Sequence, residues 1–277
     1  MIKKVILFIF SNKLEKINRL YNKHKSEECY IIGGGATIKW FDLSKFSDRK
    51  SIVLNHLPFH KDFNKLNCEY CILSEPFWFL PFEKVEKETA KKSKNILSYF
   101  HIIPNPTQAY YKKFMKKFKS INYFINLSNI LTTNYYNVFY LFKKIPKSKL
   151  FQDFIDNGLN PYEGSFRTAV FLAIHLGFKK AYLVGFDYTH TPSRIGHWFE
   201  KGEGVQSDLV NYNNDFLKFI TKYIEIKTVT IENGKHKLKS VSYKDLTGEE
   251  PNYRQNTDLA SIETLKVLSS FPGFEIF

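Results

Sequence analysis

"EGSFRTAVFLAIHLGFKKAYLVGFDYTHTPSRIGHWFE", residues 163–200, is the stretch on which the fold reading turns. A small polar turn opens it, and apolar residues at helical spacing run on through Leu176. Gly177 then offers the left-handed residue that ends many helices, so the helix is expected to stop there. "KAYLVGFD" follows, a short unbroken apolar run of the kind found in strands covered on both faces. A helix leading directly into such a strand is half of an α/β unit. Just past the strand stand Asp187 and Tyr188, and His197 comes soon after in "IGHW". Open α/β sheets bind their ligands at the carboxyl ends of such strands.

The same alternation recurs outward from this stretch. "KVILFIF" (4–10), "ECYIIGGG" (28–35), "SIVLNHL" (51–57), "EYCILSEPFWF" (69–79, stopped by Pro76) and "IEIKTVTI" (224–231) read as strands. "NKLEKINRLYNKH" (12–24), "TQAYYKKFMKKFKSINYF" (107–124) and "SDLVNYNNDFLKFITKY" (207–223) carry apolar residues at helical spacing. The expected fold is α/β: a Rossmann-like, mainly parallel sheet with helices on both faces. The chain is expected to form one domain over 1–277. The basic, aromatic stretch 83–160 would supply a lid or insert, and 233–256 would be loop.

Composition agrees with that size and class. A chain of 277 residues, 43% hydrophobic, can bury the core of one large α/β domain. Its net charge of +14 and pI near 9.4 favour anionic partners, from nucleotides and acidic sugars to nucleic acid or an anionic membrane face. "MIKKVILFIF" is short, lacks a small-residue cleavage site and reads as a first buried strand rather than a signal peptide. No run approaches the ~18–20 apolar residues of a membrane helix. Cys68-x-x-Cys71 has no second Cys or His pair nearby, so Cys68 and Cys71 are expected as interior thiols on a strand rather than as metal ligands, and the three cysteines, with Cys29, suit a reducing cytoplasm.

Several segments would converge at the strand ends. Gly33, Gly34, Gly35 and Ala36 form either a turn that lets backbone approach a phosphate or simply a tight turn. Asn55 either contacts a base or ribose or shapes a turn, and His56 and His60 are expected at the surface. Ser74 and Glu75 end another strand. Ser165 is either a helix cap or a ligand contact. Arg167 opposes the helix dipole in the first turn, a conflict that a bound anion or a salt bridge would relieve. Asp187 can cap a helix, bind a hydroxyl or a metal, or orient a histidine. His197 can take a proton at physiological pH.

Taken in order, "CYIIGGGATIKWFD", "SIVLNHL", "EYCILSEPFWF", "EGSFRTAVFLAIHLGFKKAYLVGFDY" and "IGH" resemble the bacterial sialyltransferases of glycosyltransferase family 42 and the related MptE-like/Maf group. The resemblance covers about residues 28–80 and 160–232. It implies a GT-A-variant Rossmann domain with a small lid, and an inverting transfer of a sialic-acid-like (nonulosonic) sugar from a CMP donor. No metal or other cofactor is required in that chemistry. By position, Gly33–Gly35 would hold the phosphate region, Asn55 and Ser165 would touch the donor, and Ser74 and Glu75 fall where the family has Asn before Pro. His197 matches the family's general base, and Tyr188 would stand in for a tyrosine that steadies the departing phosphate. Glu75, the missing Pro-Ser after Gly35 and the short gap between Asp187 and His197 depart from the family pattern. These departures suggest a relative with another donor or acceptor.

The expectation is therefore a cytoplasmic transferase whose partners are a CMP-nonulosonate, a bacterial surface glycan or glycolipid acceptor, the inner-membrane surface and further copies of the chain. Nucleic acid is not expected. Two readings compete with it. An MptE-like diphosphokinase would need ATP, Mg²⁺ and clustered carboxylates, for which Asp187, Glu75 and Asp42 are the candidates. A non-enzymatic basic module would use the lysines and aromatics of 107–124 on anionic surfaces.

Overall fold

The computed structural model describes residues 20–74, 95–99, 153, 156–157, 164–186, 196–203, 214–232, 238–269 and 274–277. The strands are β1 (Glu28–Ile32), β2 (Lys50–Leu54), β3 (Cys68–Ser74), β4 (Asn95–Tyr99), β5 (Lys180–Val184), β6 (Glu225–Thr230) and β7 (Ser240–Ser242). The helices are α1 (Gly164–His175), α2 (Asn214–Ile220), α3 (Tyr243–Thr247), α4 (Asn256–Leu259) and α5 (Ile262–Leu268). The strands form one sheet of order β4-β3-β2-β1-β5-β6-β7. Every pairing is parallel, so the α/β, Rossmann-like reading holds.

The strand sequences explain why both faces are covered. Along β1, Cys29 and Ile31 point into one core while Tyr30 and Ile32 point into the other. In β5, Ala181 and Leu183 divide from Tyr182 and Val184 in the same way. A strand apolar on both faces is stable only between two layers. On the first face lie α1 and α2, through residues such as Val170, Leu172, Phe216 and Ile220. The second is covered by short 3₁₀ turns at Ala36–Trp40, Leu43–Phe46, Leu57–Phe59 and Lys61–Lys65, with α3, α4 and α5. Connections running from β1 towards β3 lie on the second face, whereas those on the β5 side lie on the first. Right-handed crossovers in opposite directions require that reversal.

The order therefore changes direction between β1 and β5, and the crevice outside their carboxyl ends is the topological switch point. Gly177 has φ +87° and ends α1 as expected. All three cysteines are buried free thiols. Two expectations change. Residues 233–256 are not simply loop: Ser240, Val241 and Ser242 pair in parallel with Thr228, Val229 and Thr230 of β6, and α3 follows. The signal was weak because β7 is three residues long and is held by its neighbour rather than by its own pattern. Within 83–160, residues 95–99 join the sheet as an outer strand beside β3, and the rest of that stretch lies outside the described residues apart from 153 and 156–157. The strand expected at 4–10, most of the helix at 12–24 and the helix at 107–124 also lie outside. No described helix is long and apolar enough to cross a membrane.

Candidate functional site at the switch point

Two parallel strand ends meet here at glycines. The Gly33 N–H donates to Val184 O (2.8 Å) and the Gly35 N–H to Gly185 O (2.9 Å). A Cβ on Gly33 would stand 2.7 Å from Gly185 O, and Gly185 has φ +71° with Ile38 against its missing side chain. Gly33 and Gly185 thus let β1 and β5 close on each other. This changes what the glycine turn can do for a ligand. The Gly33 and Gly35 amides are engaged by the Val184 and Gly185 carbonyls, which leaves the Gly34 and Ala36 amides as the candidate donors of this segment. Neither of these N–H groups donates to a backbone carbonyl of the described residues. Ala36 is buried and opens the first 3₁₀ turn.

His197 comes to this turn from the far side. Trp198 N–H donates to Gly34 O (3.0 Å), which seats the 196–203 loop on the turn. As a result His197 Cδ2 lies 3.6 Å from where a Gly34 Cβ would be. The ring packs on Phe199 (centroids 5.0 Å, 26°), meets Phe274 at 5.1 Å and approaches His56 edge-on at 6.1 Å. Its side chain remains 38% exposed. One oxygen of Glu200, Oε1, accepts from both the His197 backbone N–H and its ring Nδ1, each at 2.9 Å. The Glu200 side chain is 7% exposed, so this carboxylate is largely desolvated.

A buried lysine underlies the loop. Lys39, in the 3₁₀ turn after the glycines, is fully buried, and its Nζ donates to Glu200 O and Gly202 O. Burial pushes its pKa down to about 8, against the opposing pull of Glu200 and Glu203. Asn256 Nδ2 donates to Phe199 O and Ile276 O (2.9 Å each), and Lys201 N–H to Glu275 O (2.6 Å). Segments remote in sequence therefore fix the loop at residues 198, 199, 200, 201 and 202.

The other expected site residues fall as follows. Asn55 ends β2 with φ +51°, the left-handed turn conformation of its blander reading. His56 and His60 are buried, not surface histidines, because the turns after β2 fold over the second core. His56 is pushed down to about 3 by burial first and by the charge of His197 second, which keeps it neutral. His60 packs on Trp198 at 5.0 Å and its pKa is also lowered by burial. Ser74 closes β3. Ser165 lies in the first turn of α1 rather than capping it. Helix α1 runs back towards the strand it precedes, which puts its N-terminus at the carboxyl side of the sheet. Phe166 accordingly meets Phe186 just beyond β5 at 5.3 Å. The Arg167 guanidinium lies over Phe216 at 5.3 Å, on the helical face of the sheet. Glu75, Asp187 and Tyr188 lie outside the described residues.

Orienting a histidine was one of the roles open to Asp187, which lies outside the described residues; the acid that the structure sets against His197 is Glu200, which, like Lys39, no sequence pattern singled out. "GHWFE" does carry the signal, an acid three residues after the histidine, but spacing alone could not say that the loop turns back on itself. What the geometry supplies is a partly exposed imidazole, gripped at Nδ1, beside the glycine turn at the carboxyl end of β1. No family model matches the sequence, and no curated protein matches it either.

Proposed function

We propose that the protein is an inverting glycosyltransferase that moves a nonulosonic sugar from a CMP donor to a bacterial surface glycan or glycolipid, with His197 as general base. The observation that carries this reading is the placement of the His197 ring over Gly34, at the switch point where a nucleotide sugar would lie. The resemblance of the ordered segments around it to family 42 sialyltransferases supplies the donor class.

In this mechanism the acceptor hydroxyl attacks the anomeric carbon and gives its proton to His197 Nε2. The bond from that carbon to the phosphate oxygen breaks, and CMP leaves with the electron pair. Charge on the departing phosphate is met by the Gly34 and Ala36 amides. The positive N-terminal end of α1, near Ser165, offers a second place for an anionic group such as the sugar carboxylate. A metal ion is not needed for any of these steps.

A thermal-shift panel tests the reading. Saturating CMP or CDP is expected to raise the unfolding midpoint by ~5 °C, the scale set by a ligand at about 100 times its Kd. Stabilisation by ATP with Mg²⁺ but not by cytidine nucleotides would replace it with the diphosphokinase reading. No response to any nucleotide would remove the nucleotide site altogether.

A further inference from the structure

We propose that Glu200 is a positioning residue that selects the tautomer of His197, and that Lys39 and Asn256 hold the backbone that aims it. This rests on the reading of His197 as the base. An imidazole can accept a proton only at the nitrogen that carries none, and an unheld ring exchanges between two neutral forms. Here Oε1 of Glu200 lies 2.9 Å from Nδ1, and a carboxylate oxygen is an acceptor. Nδ1 must therefore be the protonated nitrogen, which leaves the lone pair on Nε2.

The same oxygen also takes the His197 backbone N–H. Ring and main chain are thus tied to one atom, and the ring cannot rotate without losing a buried charge-assisted bond. The hold is only as firm as the backbone beneath it. That backbone is caught at Phe199 O by Asn256 and at Glu200 O by Lys39, both of which are buried. Buried side-chain donors at two consecutive carbonyls would be wasteful in an ordinary surface loop, because each carries a desolvation cost. They are accounted for if the loop must present Glu200 in one place.

The test compares the full-length wild-type chain with Glu200→Gln and Glu200→Leu. Gln keeps an acceptor oxygen without the charge, whereas Leu keeps the bulk and removes the acceptor. Two-bond ¹H–¹⁵N spectra of the neutral histidines, with His197 assigned by its loss in His197→Gln, report the tautomer directly. Wild type and Glu200→Gln should show Nδ1–H, and Glu200→Leu should show the Nε2–H form. CMP release by Glu200→Leu should fall by ~10²-fold, the low end for general-base catalysis, with partial recovery in Glu200→Gln. If Glu200→Leu does not fold, an Nε2–H signal in wild type is enough to overturn the proposal. An unchanged Nδ1–H signal in folded Glu200→Leu would overturn it as well. The two readings fail separately. Tautomer control without CMP release from any donor refutes the transferase and keeps the positioning role. His197-dependent CMP release with a tautomer indifferent to Glu200 does the reverse.

Discussion

Gly33 and Gly34 are adjacent and identical, yet the structure asks different things of them. A methyl group on Gly33 would press on the Gly185 carbonyl at 2.7 Å, and backbone cannot step aside as a side-chain tip can. On Gly34 the same methyl would meet His197 Cδ2 at 3.6 Å and Trp198 Cδ1 at 3.8 Å, which is ordinary contact. Neither residue has a left-handed φ. Gly33→Ala should therefore destabilise the fold by about 1–3 kcal/mol, as overpacking does, and Gly34→Ala by less than about 0.5 kcal/mol. Urea unfolding of the two variants checks this, and equal losses would contradict the account of the strand contact. His197 was singled out by residue type and by its closeness in sequence to Asp187, whereas the glycine turn was legible because it directly follows a strong strand pattern. Glu200 was not, since an acid in a loop carries no periodicity to show which way it points. The helix dipole left Arg167 open to either a bound anion or a salt bridge, and neither reading names an aromatic ring. Its aromatic partner Phe216 lies on another element, and no local rule announces it.

Among the elements, the 196–203 loop depends most on its neighbours. It has no helix or strand of its own, and it is held from below by Lys39 and from outside by Asn256 and the 274–277 segment. Lys39 makes this hold sensitive to pH. Its pKa is about 8 in the fold against an ordinary value of 10.5, so the unfolded chain binds the proton more tightly. Burying the charged form costs stability in full below pH 8. That cost is relieved as pH rises from about 8 to 10.5, because the folded protein releases its proton first. Between pH 7 and 10, wild type should gain about 2–3 kcal/mol relative to Lys39→Met, most of what that difference in pKa is worth. Urea unfolding of both proteins at the two pH values reads the difference. A constant gap, or one that moves the other way, would show that Lys39 carries no such cost. Helix α1 and strand β5 were legible from an apolar run and a terminal glycine. The 3₁₀ turns on the second face, β7 and α3 were not, since pieces of three to five residues complete no period that a sequence could display.

For the whole molecule, the alternation of helix and strand was enough to predict a parallel sheet covered on both faces. The reversal of strand order beside β1 then follows from connections that cross opposite faces, and it fixes where a ligand can enter. The sequence could not show that α3, α4, α5 and residues 274–277 fold over the second face and reach the histidine loop, because the contacts that hold them join segments remote in sequence, such as Asn256 and Phe199. The net charge of +14 favours anionic partners for the chain as a whole. The central claim is that an imidazole at the switch point serves a cytidine sugar, and CMP release tests it most directly. Wild type and His197→Gln should be incubated with CMP-activated sialic, legionaminic, pseudaminic and Kdo donors. The account predicts release from at least one donor by wild type and a fall of about 10²-fold or more in His197→Gln. Release from none of them, or equal release by the two proteins, would contradict it.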